Sequence, residues 1–128
     1  MTDPAPDVVE LTIPASSAWI ALVRTAATAT AARLDYSVER IDDLSLAVDE
    51  ACSLLVATAR PGTQVTCRFT VAADRSLDVF LATPTDAPVP DSTSFAWIVL
   101  TALVDDVDAR TDGQSLSLHL RLTAAVQA

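Results

Sequence analysis

The chain contains no lysine. All eight of its cations are arginines, set against 17 aspartates and glutamates for a net charge of −9 over 128 residues. So acidic a surface repels nucleic acid, which excludes direct DNA or RNA binding as the main activity. A basic protein partner is compatible with this charge, and so is plain solubility. Glycine is scarce as well: Gly62 and Gly113 are the only two. Gly62 follows Arg60 and Pro61 and reads as a helix stop, while Gly113 follows Asp112 and reads as a hairpin turn. Neither is left for a loop whose backbone amides could close around phosphate, and no lysine is available to hold one. The two cysteines, Cys52 and Cys67, lack metal-ligand spacing and are expected to be reduced, packed thiols. No apolar run reaches the roughly 18 residues that span a membrane. The acidic opening, MTDPAPDVVE, lacks the basic stretch of a secretory leader. A cytoplasmic location is expected.

What the chain has is a 51% hydrophobic content, rich in Ala, Val and Leu. Its length suits one domain that buries roughly two thirds of its unfolded surface. Residues 1–7 read as a disordered lead, and residues 8–128 as a single domain. Residues 8–13 alternate as a strand that Pro14 ends. Ser16 and Ser17 offer caps for an Ala-rich helix over 18–34. Ser37 offers a cap for a second helix over 38–59, with Asp42 and Asp43 near its positive end. Strands are expected over 64–71 and 77–82, joined by a short turn. Residues 83–93 carry three of the seven prolines and read as an extended loop. Residues 94–104 are apolar on nearly every side, which predicts a helix that is buried all round or lies against a partner. Strands over 107–110 and 116–122 flank Asp112-Gly113. The order β-α-α-β-β-loop-α-β-β predicts an α+β two-layer sandwich, with helices on one face of a mostly antiparallel sheet.

The second helix carries the candidate chemistry. At about 100° per residue, Ile41, Leu44, Val48, Ala51, Cys52, Leu55 and Ala59 form one stripe that should face the sheet. Asp42, Ser45, Asp49 and Ser53 form a polar arc beside it. Glu50 falls opposite the stripe, between Leu46 and Leu54 one turn away on either side. A carboxylate so placed can act as a general base, although a solvated helical glutamate is the commoner case. Trp19 and Trp97 are candidate anchors for a partner or members of the core. His119 has no Ser–Asp pattern to make a triad and reads as structural. Asp105, Asp106 and Asp108 read as a solvated turn or a face for a basic partner.

Two stretches carry a resemblance. Residues 46–52, LAVDEAC, resemble the nucleotide-site helix of the anti-sigma-factor/serine-protein-kinase family of GHKL ATPases. Residues 95–107, FAWIVLTALVDDV, resemble that family's second glycine-box helix, and VDARTDGQSLSLHLRL its closing hairpin. The chain looks most like the divergent actinobacterial sigma-F anti-sigma factors. The resemblance implies the Bergerat-type fold and a stress-response regulator that sequesters a sigma factor. It further implies release by a STAS-type anti-anti-sigma protein, with a homodimer as a common state. In enzymatic members Mg-ATP phosphorylates that antagonist on Ser or Thr. Glu50 matches the family's glutamate, whereas Leu54 stands where the metal-binding Asn is expected. Thr83 stands at the Asp of Asp-x-Gly-x-Gly, with Thr85 and Ala87 at its glycines; Asp86 takes the Asp place if the register slips. Ser94 and Ala96 stand at the glycines of the second box. The expectation is therefore a binding protein with degenerate nucleotide-site positions at Thr83, Asp86, Ser94 and Ala96. Glu50 would be a residual general base, with no metal ligand and no cofactor required. An active serine/threonine kinase using Mg-ATP and a generic α+β interaction module are the alternatives.

Overall fold

Strict alternation along the strands builds one apolar sheet face in the computed structural model, which describes residues 5–124. The strands are β1 (Asp7–Pro14), β2 (Gln64–Val71), β3 (Leu77–Pro84), β4 (Asp106–Thr111) and β5 (Ser115–Leu122). β2 buries Val65, Cys67 and Phe69; β3 buries Leu77, Val79, Leu81 and Thr83; β5 buries Leu116, Leu118, Leu120 and Leu122. All pairings are antiparallel, in the order β1-β2-β3-β5-β4. Pro14 ends β1 on the sheet's edge, where proline is tolerated. Of the expected lead, residues 1–4 lie outside the described residues, and Asp7 already pairs with Val71.

Three helices cover the apolar face: α1 (Ile20–Arg33), α2 (Val38–Thr58) and α3 (Phe95–Leu103). A 3₁₀ turn, Ser17–Trp19, precedes α1, so the regular helix begins two residues later than the sequence predicts. At its far end the Asp35 amide donates to Ala32 O and the Tyr36 amide to Ala31 O, at 3.0 and 3.1 Å. These are Schellman hydrogen bonds, and Asp35 takes the left-handed position (φ 58°) usually given to glycine. Ser37 caps α2 by accepting from the Arg40 amide at 3.2 Å. From α2, Leu44, Ala47, Val48, Ala51, Cys52 and Leu55 are buried, close to the predicted stripe. Cys52 and Cys67 are free thiols in this core. The neighbouring Cys67 thiol and burial together push the Cys52 thiol far above its usual range.

The predicted two-layer α+β sandwich is the observed fold. One charged residue inside it escaped the pattern. Arg40 is buried, donating to Asp105 Oδ2 at 2.6 Å and to Thr123 O at 3.2–3.3 Å. Asp105 Oδ2 also accepts from the Thr123 amide at 2.7 Å. Asp105 thus ties α2 to the β4–β5 end from an exposed acidic turn, while Asp106 and Asp108 of the same run remain exposed. No helix among the described residues is long and apolar enough to cross a membrane.

Candidate functional site in the cleft between α2 and α3

Glu50 borders a cleft of about 440 Å³ between α2 and α3, lined by Leu46, Asp49, Glu50, Phe95, Val99, Ala102 and Leu103. Helical periodicity puts it there. Leu46 and Glu50 are one turn apart on α2, and Phe95, Val99 and Ala102 follow one another along α3. Asp49 also borders the cleft, although the helical wheel set it 100° from Glu50, because neighbouring residues can flank the same groove. Its two carboxylate oxygens accept from Arg24 Nη1 at 3.0 and 2.8 Å, an ion pair that ties α1 to α2. Glu50 is half-buried and has no ion pair or side-chain hydrogen bond among the described residues. Leu54 is half-buried and packs against the core.

The other predicted positions do not converge on Glu50. Thr83 lies inside β3, which runs two residues past its predicted end. Its buried hydroxyl donates to Gln64 O at 2.9 Å. The Thr85 hydroxyl donates to Thr58 O and accepts from the Ala87 amide, so both threonines pin β3 and the following loop to their neighbours. Asp86 is exposed in that loop and does not line the cleft. Ser94 is the N-cap of α3: its hydroxyl accepts from the Trp97 amide at 3.3 Å and donates to Asp91 O at 2.7 Å. Ala96 is half-buried in the first turn of α3.

Mg-ATP requires oxygen ligands for the metal and free backbone amides around the phosphates. The positions that the resemblance assigns to metal and phosphate meet neither need. Leu54 offers no oxygen to a metal. Among the described residues, positive φ occurs at Asp35, Gly62, Arg75 and Gly113, none of them between Thr83 and Ala96. Ser94 itself is extended (φ −68°, ψ 152°), and its side chain already takes one of the amides that a phosphate would need. Among the described residues no group of three or more His, Cys, Asp or Glu side chains could hold a metal ion.

Sequence reasoning found Glu50 and read the apolar helix over 94–104 as buried or set against a partner, but it did not bring the two together as walls of one cleft. The pairing of Asp49 with Arg24, 25 residues away, leaves no local signal.

Comparison with known proteins agrees with the fold. The sequence profile of the histidine kinase-like ATPase domain matches residues 13–122. The anti-sigma-F factor RsbW of Mycobacterium tuberculosis is 37% identical over 110 residues, covering 83% of this chain and 63% of that protein. The serine-protein kinase RsbW of Bacillus pumilus is 36% identical over 81 residues, 59% of this chain and 49% of that protein. For that of Bacillus subtilis the identity is 33% over 84 residues, 63% and 52% of the two chains. The chain therefore spans from 49% to 63% of the length of these curated relatives. It belongs to the histidine kinase-like ATPase domain (GHKL) family and is a relative of the RsbW anti-sigma factors and serine-protein kinases.

Proposed function

We propose that this protein is an anti-sigma factor that acts by sequestration. It holds a sigma factor of the sigma-F type away from RNA polymerase in the cytoplasm, and a STAS-type anti-anti-sigma protein competes for it and releases the sigma factor. ATP turnover has no part in this cycle. The observation that carries the reading is the likeness to an anti-sigma-F factor over 83% of the chain; it is supported by Leu54, which offers no oxygen to a metal, and by the extended, side-chain-capped backbone at Ser94. The net charge of −9 suits a protein partner and disfavours a nucleic-acid one.

Two experiments test it. Affinity purification of the tagged chain from its own lysate should recover a sigma factor, and adding the STAS antagonist should displace it. Recovery of neither partner would leave only a generic interaction module. Calorimetric titration of ATP, with and without Mg²⁺, should give no saturable heat. Micromolar, Mg-dependent binding together with phosphate transfer to the antagonist would establish the kinase alternative, which the serine-protein kinase relatives and Glu50 keep in view.

A further inference from the structure

We propose that the α2–α3 cleft is a docking groove for a cationic amphipathic helix of a protein partner. α3 is the least buried of the three helices, although its sequence, FAWIVLTAL, has only one polar residue: Leu100 alone is fully enclosed. At 100° per residue, Ile98, Ala102, Phe95, Val99 and Leu103 follow one another around an arc of about 140°. Phe95 is 77% exposed, Ile98 54%, and Leu46 across the groove on α2 57%. Large apolar side chains clustered on two facing helices, with the groove between them open, mark an interaction site.

The charge of the groove selects the occupant. Arg24 already satisfies Asp49. Glu50 sits between the apolar walls with no cation among the described residues, so a partner that covers the groove must supply one or bury an unpaired carboxylate. The nine residues of α3 make a wall about 14 Å long, enough for about two and a half turns of a docked helix. Apolar anchors at i, i+3 or i+4, and i+7 on the partner would sit against Phe95, Val99, Ala102 and Leu46, with one Lys or Arg reaching Glu50. A second copy of this chain fits less well: its α3 carries no cation, and on its α1 Arg24 is paired with Asp49 while Arg33 sits in the last turn, away from the exposed Trp19 and Leu22. On the reading given above, the docked helix belongs to the sigma factor.

The probe is a fluorescent synthetic peptide of about 14 residues, with leucines at that spacing and lysines elsewhere. Its counterpart replaces every lysine with glutamate. Anisotropy titrations should show that the lysine peptide binds and the glutamate peptide does not. Phe95→Ser and Glu50→Lys should each weaken binding by about tenfold or more. Glu10→Lys makes the same charge change on β1, on the outer face of the sheet, and should leave the affinity within about threefold. Thermal melts establish that each variant is folded. Equal losses in Glu50→Lys and Glu10→Lys would reduce the effect to general charge attraction and overturn the proposal. So would competition by Mg-ATP, or a dimer that Phe95→Ser converts to monomer. Capture of the sigma factor is measured separately. If Phe95→Ser captures it as well as the parent does, this surface is wrong and the sequestration reading stands. If the parent captures none, that reading fails while the peptide titrations still decide whether the groove binds a cationic helix.

Discussion

The residue that most repays attention is Arg40, because burying a guanidinium is costly unless its hydrogen bonds are complete. Its hydrogen bonds run to Asp105 and the Thr123 carbonyl, linking the first turn of α2 to strand ends more than 60 residues away. Asp105→Ala would leave that cation without its closest anion and should cost about 3 kcal/mol, read from urea unfolding. A loss below about 0.5 kcal/mol would place Arg40 among surface pairs instead. Tyr36 is a second internal link: its hydroxyl donates to Arg75 O at 2.7 Å and lies 3.3 Å from Leu122 O. Burial raises its pKa above the ordinary 10, against the pull of Arg40 and Arg75. The phenol is neutral in both states below about pH 10, so its contribution is whole there. Above that pH the unfolded chain ionises first, and stability falls until the folded phenol also releases its proton. Tyr36→Phe should flatten this alkaline loss, measured as unfolding free energy between pH 9 and pH 11. None of these roles was legible in the sequence. The motif reading found Glu50 because its family frame is local, whereas Arg40, Asp105 and Tyr36 act through contacts far apart in the chain.

At the scale of elements the sequence was far more legible. The alternation in Val65, Cys67, Phe69 and in Leu116, Leu118, Leu120 states both the strand and its buried face. Ser37 marked the start of α2, whereas the same capping role of Ser94 on α3 was not read from the sequence. The end of β3 was misplaced because Pro84 looked like a break. Yet Thr83 and Pro84 still register with Leu116 and Ser115, the buried Thr83 hydroxyl being satisfied by Gln64 O. α3 was the ambiguous element. Periodicity cannot orient a helix that is apolar on every side, and only packing showed that its outer arc is open. Its start depends on Asp91 and Ser94: Asp91 Oδ1 accepts from the Thr93 amide and hydroxyl at 2.8 and 2.7 Å, and Ser94 caps the helix. Ser94→Ala should therefore cost about 1 kcal/mol by loss of the cap, visible in a thermal melt. Ser94→Gly should cost only a few tenths, since glycine is itself an acceptable cap. If restoring glycine here creates Mg-ATP affinity, Ser94 had been the obstacle to phosphate. No gained affinity is expected, because Leu54 and the Thr83–Ala87 segment remain unchanged.

At the scale of the whole molecule, charge is divided unevenly. The outer face of the sheet carries Arg68, Arg110, Arg121 and His119 among Glu10, Asp78, Asp106 and Asp108. It is partly neutralised by pairs such as Arg110–Asp108 at 2.8 Å and Arg121–Asp78 at 3.4 Å. Its three arginines leave five for the rest of a chain with 17 carboxylates, so the helical layer and loops hold most of the excess negative charge. Folding brings those carboxylates together, and the repulsion opposes the compact state. Added salt screens that long-range repulsion, since the Debye length falls from about 30 Å at 0.01 M to about 8 Å at 0.15 M. Salt also weakens the exposed pairs, but each of these contributes about 1 kcal/mol or less. The buried Arg40–Asp105 pair is shielded from solvent and should change little. With the repulsive term the larger, the melting temperature at pH 7 should rise by a few degrees between 0.01 and 0.15 M NaCl. A fall over that range would mean that local ion pairs outweigh the net charge. The same salt should weaken the cationic helix at Glu50 while leaving its apolar anchors on Phe95 and Leu46. Salt thus separates the two parts of the groove: affinity for the lysine peptide should drop with salt in the parent protein, and more shallowly in Glu50→Lys.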